Sequence, residues 1–150
     1  MYKLQAEQTV PASMEKVWDF IKNPNNLNKI TPEKMGFEIL SDLPEEMYPG
    51  MIIEYKISIP FMGKWHWVTE LKHLVDGMSF VDEQRFGPYK FWYHYHKIES
   101  AANGTRVIDQ VYYKLPFGIF GRIAHVLFVK RMLKGIFDFR KQAFAEALGE

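Results

Sequence analysis

Residues 104–125 read GTRVIDQVYYKLPFGIFGRIAH, and a change of pattern inside this stretch decides the fold. Up to Lys114, apolar and polar residues alternate, which is typical of a strand with one buried face. Pro116 ends this pattern, and no further proline follows it. Apolar residues then recur at three- and four-residue spacing, which predicts one long amphipathic helix up to the C-terminus. The apolar members of this series are Ile119, Ile123, Val126, Leu127, Leu133, Phe137, Phe144 and Leu148. Lys130 occupies a further position of the same series.

The residues before this stretch read as a run of strands separated by turns. Residues 51–59 alternate strictly, with Met51, Ile53 and Tyr55 on the apolar side. Turn signals follow at residues 60–63, 76–77, 87–88 and 103–104, of which Asp76-Gly77 is a strong signal for a two-residue hairpin. The pattern predicts about six antiparallel strands between residues 36 and 115.

The N-terminal part adds a strand and two short helices. Residues 3–10 read as extended, Ser13 is a predicted N-cap, and Pro24 and Pro32 bracket a short second helix. We therefore predict one α+β domain over residues 1–150. In this fold a curved antiparallel sheet of about seven strands wraps round the long C-terminal helix, with two short helices after the first strand. A curved sheet that grips a single helix leaves a gap between the two layers.

Composition narrows the classes of function. The net charge of +1 argues against a nucleic-acid partner, and the absence of cysteine excludes disulfides and thiolate metal sites. The sequence lacks a signal-peptide pattern and the roughly 20 consecutive apolar residues of a membrane span, so we expect a cytoplasmic protein without stable membrane insertion. The aromatic content of 16% suits the lining of a cavity.

The hairpin signals also predict strand register. If Val75 pairs with Met78 across the Asp76-Gly77 turn, Thr69 faces Gln84 and Leu71 faces Asp82. The same reasoning across the next two turns brings a set of polar side chains together on the concave side of the sheet. A slip of one residue would turn every side chain to the other face. The predicted polar cluster consists of Asp82, Gln84, His94, His96 and Asp109.

Four interpretations of this cluster remain open at the level of sequence. The side chains can satisfy one another and fix register, or they can orient the polar end of a ligand. In a catalytic reading, His94 or His96 moves a proton while Asp109 holds its tautomer. A zinc site would need a third ligand from Asp82 or Asp109. We predict neither a metal nor any other cofactor.

Three segments resemble the helix-grip proteins, the START and Bet v 1-like superfamily that includes polyketide cyclases and coenzyme-Q-binding proteins. They are residues 10–32, residues 80–99 and the stretch at 104–125, so the resemblance covers essentially the whole chain. A bacterial cyclase/dehydrase-like ligand-binding subgroup is the most similar. Its pattern of a Trp-x-His-x-His strand, then Gly-Thr and a later Asp, matches Trp92, His94, His96, Gly104, Thr105 and Asp109. The resemblance implies the fold and a hydrophobic ligand, but no established reaction.

The leading prediction is a protein that binds, transports or sequesters a hydrophobic small molecule such as a lipid, quinone or polyketide-like compound. The ligand would lie between the sheet and the long helix, and the polar cluster would orient one end of it. Residues 116–121 are predicted to form a hinge at the mouth of the cavity. The predicted ligand-binding residues are Trp67, Thr69, Phe80, Asp82, Gln84, Trp92, His94, His96, Asp109, Tyr113, Ile123, Leu127 and Phe137.

Two alternatives accompany this prediction. One is a cyclase, dehydratase or hydrolase whose catalytic residues are His94, His96 and Asp109. The other is an interaction module that forms a homodimer through aromatic residues on the convex face. These residues, Phe91, Tyr93 and Tyr95, alternate with the inward residues of the same strand. Packing of this aromatic ladder against Tyr112 and Ile108 of the next strand is the interpretation we favour.

The terminal helix is also basic. Its cations are Arg122, Lys130, Arg131, Lys134, Arg140 and Lys141, against Asp138, Glu146 and Glu150. A basic amphipathic helix can lie on an anionic membrane. We favour a solvated outer face instead, because the apolar stripe is needed to cover the sheet.

Overall fold

A computed structural model describes residues 1–60 and 62–149, and it confirms the predicted α+β architecture. Position 61 of the predicted turn at residues 60–63 lies outside the described residues. The strands are β1 (Tyr2–Val10), β2 (Glu38–Ile39), β3 (Ile52–Ile59), β4 (Gly63–Val75), β5 (Ser79–Phe86), β6 (Phe91–Ala101) and β7 (Gly104–Lys114). The helices are α1 (Met14–Ile21), α2 (Gly118–Ala124) and α3 (Lys130–Leu148), with 3-10 turns at Pro24–Ile30 and Glu33–Met35 and a π-helical turn at His125–Val129.

The seven strands form one antiparallel sheet in the order β1-β7-β6-β5-β4-β3-β2. The predicted pairing of Thr69 with Gln84 and of Leu71 with Asp82 is confirmed. Val75 pairs with Ser79 instead of Met78, because an irregularity between Lys72 and Val75 shifts the register by one residue near the turn. His73, inside this irregularity, has a positive φ of 50°.

Two further predictions concern the N-cap of α1 and the aromatic residues on the convex face of the sheet. Ser13 caps α1 by accepting a hydrogen bond from the backbone N–H of Lys16 at 3.2 Å. On β6, Tyr93 lies opposite Tyr112 of β7, and Tyr93 and Tyr95 are half-buried. The homodimer through this face stays a prediction.

The long C-terminal helix is confirmed, but the face that it buries in its first turns differs from the predicted one. α2, the π-helical turn and α3 run continuously from Gly118 to Leu148. The buried positions in the first half are Gly121, His125 and Val129, followed by Leu133 and Phe137 at the same four-residue spacing.

An α-helix turns by about 400° in four residues, so this spacing would drift steadily round an uninterrupted α-helix. The wider π-helical turn compensates for this drift and keeps the buried side chains in line. The buried face predicted from a constant α-helical period is therefore wrong for Ile119, Ile123, Val126 and Leu127, which are exposed.

Two apolar clusters fill the space between the sheet and the helices. One lies under α1 and the end of α3 and includes Trp18, Ile98 and Phe144. The other lies under the middle of the long helix and includes Trp92 and Val111. Among the described residues no helix is long and apolar enough to span a membrane.

Candidate functional site

A cavity of about 190 Å³ lies between the sheet and α3. Inward side chains of β3, β4, β5 and β6 form one wall, while α3 and the 3-10 turn at Pro24–Ile30 form the other. Most of these side chains are apolar, and aromatic rings meet at one end. Trp67 stacks on Tyr55 with ring centres 5.7 Å apart and meets Trp92 edge-on at 5.3 Å. The predicted gap between sheet and helix is therefore present.

The structure brings eight of the thirteen predicted ligand-binding residues to the cavity wall. All of them are inward-facing positions on strands β4 to β6, except for one position on α3. They are Trp67, Thr69, Phe80, Asp82, Trp92, His94, His96 and Phe137.

Three predicted residues lie elsewhere, one of them half-buried and two buried. Gln84 accepts a hydrogen bond from the backbone N–H of Tyr89 at 3.1 Å and donates to its carbonyl at 2.7 Å, so it holds the turn between β5 and β6. Asp109 is buried against the two histidines. The hydroxyl of Tyr113 lies 2.8 Å from Nε2 of His125, beside the π-helical turn.

Ile123 and Leu127 were expected to line the cavity, and the structure corrects this expectation. Their side chains are 50% and 66% exposed and point away from the sheet. The cause is the π-helical turn, which gives their inward places to His125 and Val129.

The polar cluster is built on β6, where the alternation of a strand puts His94 and His96 on the same inward face. Antiparallel pairing sets Asp82 of β5 opposite His94 and Asp109 of β7 opposite His96. Trp92, two residues earlier on β6, donates its indole N–H to Oδ1 of Asp82 at 3.2 Å. The register predicted from the turns is therefore confirmed at the cluster.

Each imidazole contacts both carboxylates. Nδ1 of His94 lies 3.2 Å from Oδ2 of Asp82, and Nε2 of His94 lies 2.9 Å from Oδ1 of Asp109. Nε2 of His96 lies 2.5 Å from Oδ2 of Asp82, and Nδ1 of His96 lies 3.2 Å from Oδ1 of Asp109. The two ring centres are 3.6 Å apart, and the ring of His96 stacks on Phe80 at 4.2 Å.

Arg140 completes the cluster from the helix side. Nε of Arg140 lies 3.5 Å from Oδ2 of Asp109, and its Nη2 lies 3.3 Å from Nδ1 of His96. A guanidinium has no acceptor, so Nδ1 of His96 accepts this bond and the proton of His96 sits on Nε2, facing Asp82.

Arg140 was predicted to lie on the solvated side of the helix, and this prediction is wrong. A detectable signal was its position three residues after Phe137 and four before Phe144, on the same helix face as both.

These contacts set the protonation of the buried groups. Burial opposes the charged form of His94, but the carboxylates of Asp82 and Asp109 outweigh it and raise the pKa of His94 above its usual value. Burial also disfavours the ionised carboxylates. Nevertheless, His94 and His96 hold the pKa of Asp82 far below its usual value, and Arg140 with the histidines does the same for the pKa of Asp109. Two carboxylates, two imidazoles and one guanidinium thus share one buried network.

Two buried donors lack a hydrogen bond. Among the residues that the structure describes, only Nε1 of Trp67 and Nε of Arg140 are buried side-chain polar atoms of this kind. Both residues line the cavity, one from the sheet and one from α3. Nε of Arg140 still has the carboxylate of Asp109 at 3.5 Å. An unpaired buried donor is destabilising by roughly 1–3 kcal/mol, so the indole N–H of Trp67 calls for an acceptor.

Asp82, His94 and His96 are also the side chains that a metal ion would use. Each offers one ligand atom, and these atoms lie within 4.8 Å of one another. Metal binding would require neutral imidazoles and would compete with the contacts to Asp109 and Arg140. The donor set therefore fits a proton-sharing polar network better than a metal site.

No protein-family model matches the chain, and no curated protein sequence matches it. Solved structures match over almost the whole length. TTHA0849 from Thermus thermophilus matches with a TM-score of 0.75 at 19% identity, covering 98% of this chain and 97% of that one. CV1439 from Chromobacterium violaceum matches with a TM-score of 0.75 at 12% identity, covering 100% and 99%. Ara h 8.0201 matches with a TM-score of 0.59 at 14% identity, covering 96% and 98%.

Ara h 8 belongs to the Bet v 1 family, whose fold is a curved antiparallel sheet round a long C-terminal helix. The sheet order, the long terminal helix and the hollow between them agree with that likeness. At these identities the comparison establishes the architecture and leaves the ligand open. The chain described here has the Bet v 1-like helix-grip fold.

Proposed function

We propose that this protein binds an uncharged or weakly acidic hydrophobic molecule in the cavity, with one end that carries hydrogen-bond acceptors such as carbonyl oxygens. The observation that carries the proposal is an apolar hollow whose wall includes Trp67, with a buried unpaired indole N–H, and the guanidinium-bearing Arg140. Apolar walls supply affinity by removing the ligand from water, while a few polar groups fix its orientation. Lipids, quinones and polyketide-like compounds belong to this chemical class.

The volume supports a ligand whose buried part is one or two rings or a short chain. At about 190 Å³ the cavity exceeds the engineered cavity of about 150 Å³ that admits benzene. It is smaller than the roughly 300–1,000 Å³ of sites for drug-sized ligands. A longer ligand would therefore extend beyond the cavity.

The geometry of the histidines favours binding over acid–base catalysis. Both ring nitrogens of His94 contact carboxylates, and those of His96 contact Asp82 on one side and Arg140 with Asp109 on the other. A general acid or base needs a nitrogen within hydrogen-bonding reach of the substrate. A cyclase or dehydratase acting through His94, His96 or Asp109 would have to break one of these contacts first. We therefore assign the cluster to positioning Arg140 and keeping the cavity floor neutral.

Isothermal titration with menadione tests the proposal. This naphthoquinone has two fused rings and two carbonyl acceptors, and the absence of cysteine removes its usual side reaction with thiols. Methylnaphthalene offers similar rings without acceptors. We expect one saturable site per chain for menadione and binding weaker by about tenfold for methylnaphthalene, since one hydrogen bond contributes roughly 1 kcal/mol.

A pair of variants on β3 locates the site. Ile57 lines the cavity, so Ile57→Trp fills part of it and should abolish menadione binding. Ile52, on the same strand, is 47% exposed, and Ile52→Trp should bind like the wild type. Equal binding by both variants would place menadione outside the cavity and refute the proposal.

A further inference from the structure

The outward face of the first turns of the long helix is apolar. Six large side chains along it, between 50% and 78% exposed, form what we call the α2 face. They are Phe117, Ile119, Phe120, Ile123, Val126 and Leu127. Spacings of one, three and four residues put the five helical members side by side. Contiguous apolar patches of this kind mark sites of interaction with proteins or membranes.

Packing within the chain does not account for these residues. Gly121, His125 and Val129 form the opposite, buried face of the same turns and fasten the helix to the sheet. Phe117 is held at a φ of 66°, which is unfavourable for a bulky side chain, and is nevertheless 70% exposed. The α2 face is therefore apolar without contributing to the core.

The charges round the α2 face are mainly positive, and the first acidic residue after it, Asp138, pairs with Lys134. Residues 110–137 contain five Lys or Arg residues and no Asp or Glu, although the chain as a whole has a net charge of only +1. The five are Lys114, Arg122, Lys130, Arg131 and Lys134, and all of them are exposed. Lys130, Arg131 and Lys134 follow Ile123 and Leu127 at helical spacing, so an apolar end continues into a basic end on one helix face.

We propose that the α2 face docks this protein peripherally on an anionic lipid surface. Apolar side chains would enter the boundary between headgroups and acyl chains, and the flanking cations would contact anionic headgroups. A second copy of the chain fits this face less well. A symmetric contact through the α2 face would bring the cations of both copies together.

The α2 face also lies close to the main cavity. A small pocket of about 50 Å³ under α2 includes Phe117 and Gly121 and shares Ile59, Tyr89 and Met132 with the main cavity wall. A docked α2 would therefore separate the lipid surface from the hydrophobic cavity by only a few side chains. Docking does not depend on ligand binding, so each can fail while the other holds.

Flotation of the full chain with vesicles tests the proposal. The vesicles contain either phosphatidylcholine alone or equal parts of phosphatidylcholine and phosphatidylglycerol. We expect binding to the anionic vesicles that declines with added salt, and little binding to the zwitterionic ones. Phe120→Ser with Ile123→Ser should lose binding. Lys130→Gln with Arg131→Gln should weaken it by about 25-fold, since each cation near an anionic surface contributes about a fivefold factor.

Matched controls come from exposed residues elsewhere. Phe86→Ser removes an exposed ring on β5. Lys16→Gln with Lys34→Gln removes two exposed cations that are distant in sequence from the α2 face. Both controls should float like the wild type. Circular dichroism and sedimentation velocity accompany every variant. Absence of flotation with anionic vesicles, or equal loss in the controls, would overturn the proposal. A wild-type dimer that Phe120→Ser dissociates would overturn it too and assign the face to a second copy.

Discussion

His94 is the residue on which the charge balance of the interior depends. It lies between two buried carboxylates, at 3.2 Å from Asp82 and 2.9 Å from Asp109. Removing one member of such a buried set leaves an uncompensated charge, which is more harmful than losing the whole set. We therefore expect the cluster to contribute to stability, whatever the ligand is.

A first prediction concerns the pH dependence of stability. The usual pKa of histidine is 6.5, and the pKa of His94 is raised in the folded state. Its stabilisation is therefore complete below pH 6.5 and is lost as the pH rises through the folded-state pKa. His94→Gln should lower the free energy of unfolding by about 3 kcal/mol at about pH 5.5, and by clearly less at about pH 9.5. Urea denaturation at both pH values measures this difference.

The carboxylates affect the pH dependence of stability with the opposite sign. The pKa values of Asp82 and Asp109 lie below the usual 3.8, so their stabilisation is present above that pH and is lost on further acidification.

His66→Gln is the control for His94→Gln, because His66 is exposed on β4. A His94→Gln effect that stays constant between the two pH values would show that His94 is uncharged in the folded protein.

A second prediction concerns Trp67, which lines the cavity and has a buried, unpaired indole N–H. Trp67→Phe removes that donor, so the free energy of unfolding should fall by less than a core truncation would cause. Menadione should bind about fivefold to tenfold more weakly, while methylnaphthalene should bind with little change. Calorimetric titration of both compounds measures the two effects. An equal loss for both would mean that Trp67 contributes only its surface area.

At the scale of elements, two glycines of the long helix make a matched pair. A Cβ on Gly121 would collide with the backbone carbonyl of Pro116, whereas a Cβ on Gly135 would meet nothing within 4 Å. Gly121→Ala should therefore destabilise the protein by about 2 kcal/mol, and Gly135→Ala should stabilise it by about 1 kcal/mol. Urea denaturation measures both.

The two outcomes separate close packing from helix propensity. If Gly121→Ala also stabilises the protein, α2 does not approach Pro116 as described. The same experiment tests which face of the helix is buried, because Gly121 belongs to the face that the π-helical turn brings into line with Leu133.

The strands were predictable from the sequence, but the face that the long helix buries in its first turns was not. Alternation and turn dipeptides act locally, so the pairing of Leu71 with Asp82 followed from counting back from Asp76-Gly77. A π-helical turn carries no comparable signal in one sequence, and it moved Ile123 and Leu127 to the outside. Arg140 was assigned to the solvated residues with the other cations, although its spacing from Phe137 and Phe144 places it on their face.

At the scale of the whole molecule, the hollow follows from the way in which one long helix covers a seven-stranded sheet. Trp18 and Phe144 belong to one apolar cluster between the layers, and Trp92 with Val111 belongs to the other. The cavity is lined by residues of both clusters. The fold was predictable, since it depends on pattern and topology. The unpaired indole N–H of Trp67 and the contact of Arg140 with Asp109 were not, because they depend on side-chain placement in three dimensions.

Native mass spectrometry of protein purified from cells tests the central claim, that the cavity holds a hydrophobic molecule, most directly. Wild type and the exposed control Ile52→Trp should carry an additional mass that organic solvent extracts, and Ile57→Trp should carry none. A wild type without any additional mass, or Ile57→Trp with the same mass as the wild type, would contradict it.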